Sequence, residues 1–338
     1  MVDYDKSNAR EWARKNFIGA TGVNLPSYSA NFSTINDDAI RHDVALTESF
    51  GYASTLLATE VSITPEENAR VTALAREVTT KDFGLFFHAA FNSLEENIAA
   101  VRLAERAGAD RVLLSYPTSF WPTSEDEIFA YTQAFCDATD LAVMLFPIPL
   151  WQFERIHPAG MQVSFVRRIL DAMPNVVAIK AEQGFPGIPG LMEMYHHFRD
   201  EVVISCPIEA DLIPLLSVMD IQYSGTSNTN WLGDWYPKAL HQAQNGQWEQ
   251  AMQSWWKIAP ARAAAGQAQA SAQTISVLNR TTWKYQEWLA GYNGGALRAP
   301  AMRVPNNVMK SLRAGLLASD RPVTDLPDSE FIRGRIIS

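Results

Sequence analysis

The side chain in this sequence best placed for covalent chemistry is a lysine at the end of an apolar run. Lys180 closes the segment Val176-Val177-Ala178-Ile179-Lys180, which reads as a buried strand. An amine in that setting either finds a carboxylate partner or lowers its pKa through desolvation. The second outcome leaves a neutral nucleophile able to attack a carbonyl carbon. The alternative is a lysine whose stem lies along apolar surface while its head reaches water. His88 ends another such run, Phe86-Phe87-His88. Its imidazole is either a proton shuttle or a hydrogen-bonded structural group.

Other polar residues close similar runs. Tyr116 precedes Pro117, and its ring either turns inward or packs between strand and helix layers. Ser224, Thr226 and Asn228 offer hydroxyl and amide groups at the end of the last run; Asn228 could instead cap a following helix. Cys206 reads as a small apolar filler. Glu209 and Asp211 suit the first turn of a helix. Arg298 lies in a Gly- and Pro-rich stretch, where an anchoring role is the simpler reading, and Asn279 reads equally as a mouth residue or a surface amide. His196 and His197 are adjacent, so a helix turns them about 100° apart, unlike two ligands on one face. No metal site is expected.

The elements that must position these groups alternate along the whole chain. Apolar runs occur at Ile18–Val23, Ala53–Ala58, Phe83–His88, Arg111–Tyr116, Leu141–Phe146, Val176–Lys180, Val202–Cys206 and Ile221–Thr226. Each is too short for a helix and lacks strict alternation, as parallel strands buried on both faces should. Between them come helical stretches at Asp37–Phe50, Pro65–Val78, Ser93–Ala107, Glu125–Ala138, Val163–Met173, Gly187–Phe198, Glu209–Val218 and Trp231–Gln244. Thr64, Pro65, Glu66 and Glu67 supply an N-cap, a first-turn proline and a capping-box acid, and Gly108 is a C-cap signal. Eight such units predict an α/β fold, a (β/α)8 TIM barrel over residues 14–246. A doubly wound sheet would carry a Gly-rich turn after its first strand, and the turn here is Gly22-Val23-Asn24-Leu25-Pro26. Residues 247–338 read as a C-terminal helical cap and tail, with helices over Trp248–Ala265, Ala270–Ala290 and Asn307–Leu317 and a loosely ordered end after Ala318.

Composition narrows the function. The 338 residues carry a net charge of −9, so nucleic acid is not an expected partner. Two distant cysteines, Cys136 and Cys206, make neither a zinc ribbon nor a disulfide framework, and a reducing cytoplasm fits. No signal peptide or membrane span is evident. Aromatic residues sit where loops should be: Phe120, Trp121, Trp151, Phe153, Trp231 and Trp235. They suggest either a pocket for an apolar group or a subunit interface.

With these residues in view, the chain resembles the dihydrodipicolinate synthase/N-acetylneuraminate lyase family of class I aldolases, from about Gly19 to Pro300. Asn175–Glu182 looks like that family's lysine strand, and Ala104–Pro122 is similar to its fourth-strand segment. Asn92, Ser93, Glu96 and Ile98 resemble the preceding helix start, and Tyr223–Asn228 the eighth-strand signature. Gly291, Gly295, Arg298 and Pro300 resemble its late Gly-rich loop. The resemblance implies a Schiff base on Lys180 and a homo-oligomer, a dimer or tetramer, with no cofactor. The departures are specific. Where the family has a Gly-Thr-Thr-Gly-Glu loop for the substrate carboxylate, this chain has Leu56-Leu57-Ala58-Thr59-Glu60-Val61-Ser62, which leaves Thr59 as a hydroxyl for the substrate. The family's fifth-strand tyrosine falls on Phe146, and its paired tyrosines on Thr118 and Ser119. The hydroxyl relay is thus absent, and His88 is the expected replacement.

The expectation is a Schiff-base lyase, aldolase or hydratase-aldolase for a 2-oxo acid or related carbonyl with a bulky substituent, aromatic ones included. Lys180 and His88 would be catalytic, and Phe146, Ser224, Thr226, Asn228, Thr59, Tyr116 and Trp151 would bind substrate. The alternatives are a Schiff-base enzyme for carbonyls without an adjacent carboxylate, and a barrel that binds a small molecule without turning it over.

Overall fold

The computed structural model describes residues 2–273 and 279–337. Among them, β1 (Gly19–Asn24), β2 (Ser54–Leu57), β3 (Gly84–Ala89), β4 (Arg111–Leu114), β5 (Ala142–Leu145), β6 (Val176–Lys180), β7 (Val203–Ser205) and β8 (Tyr223–Ser224) pair in parallel and in order. β8 returns to β1 through Gly19–Tyr223 and Ala20–Ser224, which closes the barrel. Helix α1 (Ala9–Asn16) precedes it. α2 (Asp37–Ser49), α3 (Pro65–Val78), α4 (Leu94–Ala107), α5 (Glu125–Asp137), α6 (Val163–Ala172), α7 (Ile188–Phe198), α8 (Glu209–Leu215) and α9 (Trp235–Gln244) each follow a strand. The extension holds α10 (Trp248–Lys257), α11 (Ala259–Gln273), α12 (Arg280–Leu289) and α13 (Asn306–Ala318). The fold is a (β/α)8 barrel with a C-terminal helical extension, as expected.

Because each strand alternates its side chains between two buried faces, the apolar residues divide into two clusters. Leu57, Phe87, Leu114, Leu145, Ile179 and Ile204 face the helices. Leu56, Phe86, Leu113, Met144, Phe146 and Tyr223 fill the barrel. At the N-terminal end of the strands, Tyr4, Ala9, Ala13 and Phe17 join the inner cluster, so α1 plugs that end. The Tyr4 hydroxyl donates to Asp110 O at 2.5 Å and accepts from Ala142 N–H at 2.7 Å.

Local signals explain many boundaries. Thr64 and Glu67 form the capping box of α3, and Gly108 ends α4 in the left-handed conformation at φ 108°. Glu67 also grips the Arg298 guanidinium at 2.7 and 2.9 Å, so Arg298 anchors the extension to the barrel.

Three expectations need correction. The helix expected over Trp248–Ala265 breaks at Ile258, because Pro260 in the next turn lacks an N–H and excludes the preceding carbonyl. The helix expected from Trp231 begins only at Trp235, after Gly233 at φ 60°. The tail is not loose. Phe331 is fully buried against Tyr285 and Trp288, Arg313 holds Asp328, and Arg335 donates to Tyr292 O and Trp288 O. Of the helix expected over Ala270–Ala290, positions 274–278 lie outside the described residues. Tyr285, Trp288 and Leu312 of the extension share the outer cluster with the barrel.

Candidate active site at the barrel mouth

β6 carries Lys180 into the mouth, flanked by Ser205 of β7 and by the residues that follow β5. Its Nζ lies 3.6 Å from the centre of the Phe146 ring and 3.5 Å from Glu182 Oε2. The lysine is 5% exposed, and burial pushes its pKa down, while the Glu182 carboxylate pulls it back up. Both outcomes weighed from sequence therefore meet in one residue, a desolvated amine with a carboxylate beside it. Burial is the larger effect, which favours the neutral amine.

His88, on β3, is inside the same mouth and 5% exposed. Its Nε2 is 3.0 Å from Ser115 Oγ, and its Nδ1 faces the Thr59 N–H at 3.5 Å. Burial, with the Lys180 charge second, pushes its pKa down to about 3. With Nδ1 facing a donor, the proton belongs on Nε2, which donates to Ser115. The ring is neutral at any working pH, so it can pass a proton along this line but does not store one. Thr59 uses its own hydroxyl on His88 O at 2.8 Å; it supports the histidine.

Thr226 is buried, and its Oγ1 has no hydrogen-bond partner among the described residues; neither has Asn228 Oδ1. Asn228 does not cap a helix. Its neighbour Asn230 fastens the loop instead, accepting from Val23 N–H and donating to Val23 O. Gly225 sits so close to Thr21 that a Cβ would lie 2.4 Å from the threonine Cβ, so glycine is required there for the loop to lie against β1.

Other expected site residues face elsewhere. Ser224 turns to the helix layer, where its hydroxyl pairs with Tyr236 and donates to Cys206 O at 3.0 Å. Tyr116 also points outward, with its hydroxyl 2.7 Å from Thr132 of α5 and its ring against Phe120, Tyr131 and Phe153. Both follow from strand alternation: the inward neighbours are Ser115 and Gly225. Of the loop aromatics, Trp151 meets Phe146 edge-on at 5.7 Å and donates to Phe146 O. Phe120, Phe153, Trp231 and Trp235 belong with the outer cluster, and Trp121 is exposed under Arg155. Asn279 caps α12 and holds Met302 N–H.

Four residues at or beside the site were not singled out from sequence. Glu182 was detectable by period two, lying two places from Lys180, whereas Ser115 follows a strand buried on both faces that gives no such label. Trp283 of α12 packs on the inner cluster, a tertiary contact without a local signal. Gln183 is 8% exposed with both amide ends unpaired among the described residues. It borders a groove of about 570 Å³ between α6 and α7, which Lys180, His88 and Phe146 do not line. Among the described residues no cluster of His, Cys, Asp and Glu could hold a metal ion, and no helix is long and apolar enough to cross a membrane.

The model of the dihydrodipicolinate synthetase family matches residues 59–309. The chain belongs to this family. It is 32% identical over 123 residues to the 4-hydroxy-tetrahydrodipicolinate synthase of Rhodospirillum centenum, covering 36% of this chain and 40% of that one. With the enzyme of the same name from Persephonella marina it shares 26% over 200 residues, 58% of this chain and 65% of the relative. The matches thus span less than two thirds of these curated relatives. Among solved structures, an N-acetylneuraminate lyase from Fusobacterium nucleatum superposes with a TM-score of 0.73 at 15% identity, covering 89% of this chain and 98% of that one. That likeness concerns the fold. Within the dihydrodipicolinate synthetase family frame, this member places a phenyl ring, not a hydroxyl, over its lysine.

Proposed function

We propose that the protein is a Schiff-base lyase or aldolase, hydratase-aldolases included, for a 2-oxo acid with a bulky apolar substituent. The observation that carries this reading is Lys180 at the end of β6, buried, pressed on the Phe146 ring and driven toward the neutral amine. A neutral amine attacks a keto carbon, and loss of water gives an iminium. That iminium is an electron sink for bond cleavage or formation beyond it, through an enamine. Phe146 and Trp151 form an apolar wall at the lysine, which supports an apolar substituent. The unpaired Thr226 Oγ1 and Asn228 Oδ1, both in the loop after β8, support a polar substrate group such as a carboxylate there. A buried polar group left unbonded costs about 1–3 kcal/mol, and half a turn of the amide presents its NH2. His88 and Ser115 offer a neutral hydrogen-bonded line for proton transfer.

A second reading, a carbonyl without an adjacent carboxylate, is favoured by one observation. The turn after β2 has its polar groups engaged, Thr59 on His88 and Glu60 on Arg280. One experiment separates the two. The protein is incubated with pyruvate, phenylpyruvate or benzaldehyde, reduced with borohydride, and the adduct is located by peptide mass. An adduct on Lys180 that is lost in Lys180→Ala is expected, with oxo acids ahead of the aldehyde. Trapping on another lysine, such as the buried Lys284, or turnover surviving the substitution, would overturn the assignment.

A further inference from the structure

We propose that Glu182 is a catalytic acid–base residue, the group that carries protons during imine formation on Lys180. The inference rests on the Schiff-base reading and names a group able to hold a proton beside the Lys180 nitrogen, which the Phe146 ring cannot do and the neutral His88 can only relay.

Glu182 is two residues beyond Lys180, so in extended chain both side chains project to the same face. Ala181, between them, turns into the outer core. The carboxylate oxygen is 3.5 Å from Nζ, a separation that a small side-chain rotation brings to hydrogen-bond length, as apo catalytic contacts often require. Its backbone N–H is tied to Pro147 O. Gly184, two places on, lies so close to Pro149 that a Cβ would be 2.4 Å from its ring. The loop is thus seated on the segment after β5. The Glu182 side chain is 29% exposed and that of Lys180 7%. One end meets the dry amine and the other meets water, which is the arrangement a proton carrier needs. The titratable groups of other strands that feel the pair are His88 on β3, which feels the Lys180 charge, and Cys206 beyond β7, which lies in the outer cluster and feels Glu182. The first is held neutral and the second is a buried thiol.

The protons balance without another reagent. Starting from the protonated form of the pair, the Glu182 carboxylate takes one proton from Lys180, which leaves the neutral amine that burial favours, and the amine adds to the carbonyl carbon as the C=O π bond opens. The carbinolamine oxygen receives the second nitrogen proton. The Glu182 carboxylic acid then protonates that hydroxyl, the C–O bond breaks, and water leaves. The carboxylate is restored, and one proton remains on the iminium nitrogen. The oxygen leaves with the other two.

The test compares the wild-type protein with Glu182→Gln and Glu182→Asp, using phenylpyruvate and pyruvate as probes and cyanoborohydride to trap the imine. The rate of Lys180 adduct formation is followed from pH 5 to 9. A merely structural ion pair and an acid–base role predict opposite signs. Removing the carboxylate removes what raises the lysine pKa, so loss of a simple ion pair would speed trapping at neutral pH. Loss of a proton carrier slows it by about 100-fold or more, flattens the acid limb of the profile, and is partly restored by Glu182→Asp. Trapping within threefold of wild type, or faster, overturns the inference while the Schiff base stands. No Lys180 adduct in the wild-type protein with either probe overturns the Schiff-base reading and this inference together.

Discussion

The neutral state of His88 gives the protein a measurable acid sensitivity. In the unfolded chain a histidine titrates near 6.5, whereas burial in the mouth holds His88 at about 3. Between those values the unfolded state binds a proton that the folded state refuses, so stability falls as pH drops below about 6.5. Between pH 7.5 and pH 5 the expected loss is about 2 kcal/mol. With the residue 5% exposed, solvent screening removes little of this. Asp43 shifts the other way, raised to about 6 by burial, and buried Glu287 is raised also. Their contributions gain stability on acidification, and they cancel when two proteins sharing them are compared.

The comparison is therefore wild type against His88→Gln, which keeps an amide near the Nε2 position opposite Ser115. Urea unfolding of both at pH 7.5, 6 and 5 should show the wild type losing about 2 kcal/mol more than the variant over that range. Carbon-detected NMR of labelled histidine should show the His88 ring, identified by its loss in the variant, still neutral at pH 5. Parallel stability profiles, together with the His88 ring titrating near 6.5, would refute the argument that burial keeps His88 uncharged. The proton line through Ser115 would then need to be redrawn with a charged ring.

Further outcomes follow from the same geometry. His88→Gln should lower turnover by about 100-fold while the borohydride adduct remains detectable. Ser224→Ala should leave substrate affinity unchanged and cost about 1 kcal/mol in urea unfolding, because its hydroxyl serves Tyr236 and Cys206 O. Thr226→Val, by contrast, should raise the KM for a 2-oxo acid, and an unchanged KM would remove Thr226 from the carboxylate site. Phenylpyruvate should bind at least fivefold better than pyruvate, since each aromatic contact contributes about 1 kcal/mol; equal affinities in a trapping titration would count against the apolar wall. Phe185, Ile188, Met192, Ile208 and Val218 are exposed around α7 and α8, and a homo-oligomer is expected by light scattering at micromolar concentration. A monomeric mass there would refute it.

Sequence reading located the ends of the strands well and the direction of the side chains poorly. Each of the eight runs overlaps an observed strand, and the capping box at Thr64 and the glycine at 108 mark real helix ends. These are local effects, written in a few neighbouring residues. Direction is different. A half-exposed strand shows its parity as alternation of apolar and polar residues, but a barrel strand is buried on both faces and erases that signal. Tyr116 and Ser115, or Ser224 and Gly225, are then equivalent to the reader. Of the two directions open to Tyr116, the packed one between strand and helix layers is observed, and Ser224 turns outward as well. Contacts made across the chain, such as Trp283 on the inner cluster, leave no local mark at all.

Lys180 carries a parity label of its own, and it reaches further than the residue itself. A lysine is tolerated at the end of an apolar barrel strand only where its amine has somewhere to go, which is the mouth and not the helix layer. That fixes Ala178 and Lys180 as inward and Ile179 and Ala181 as outward, as observed. Extending the same alternation one step places Glu182 over the amine, without any tertiary information. Thr59, Ser115 and Ser205 carry no comparable charge, so their strands cannot be phased in this way. The same physical fact made Lys180 legible and singles out its nearest carboxylate: burying a charge is costly enough to fix the direction of the strand that bears it.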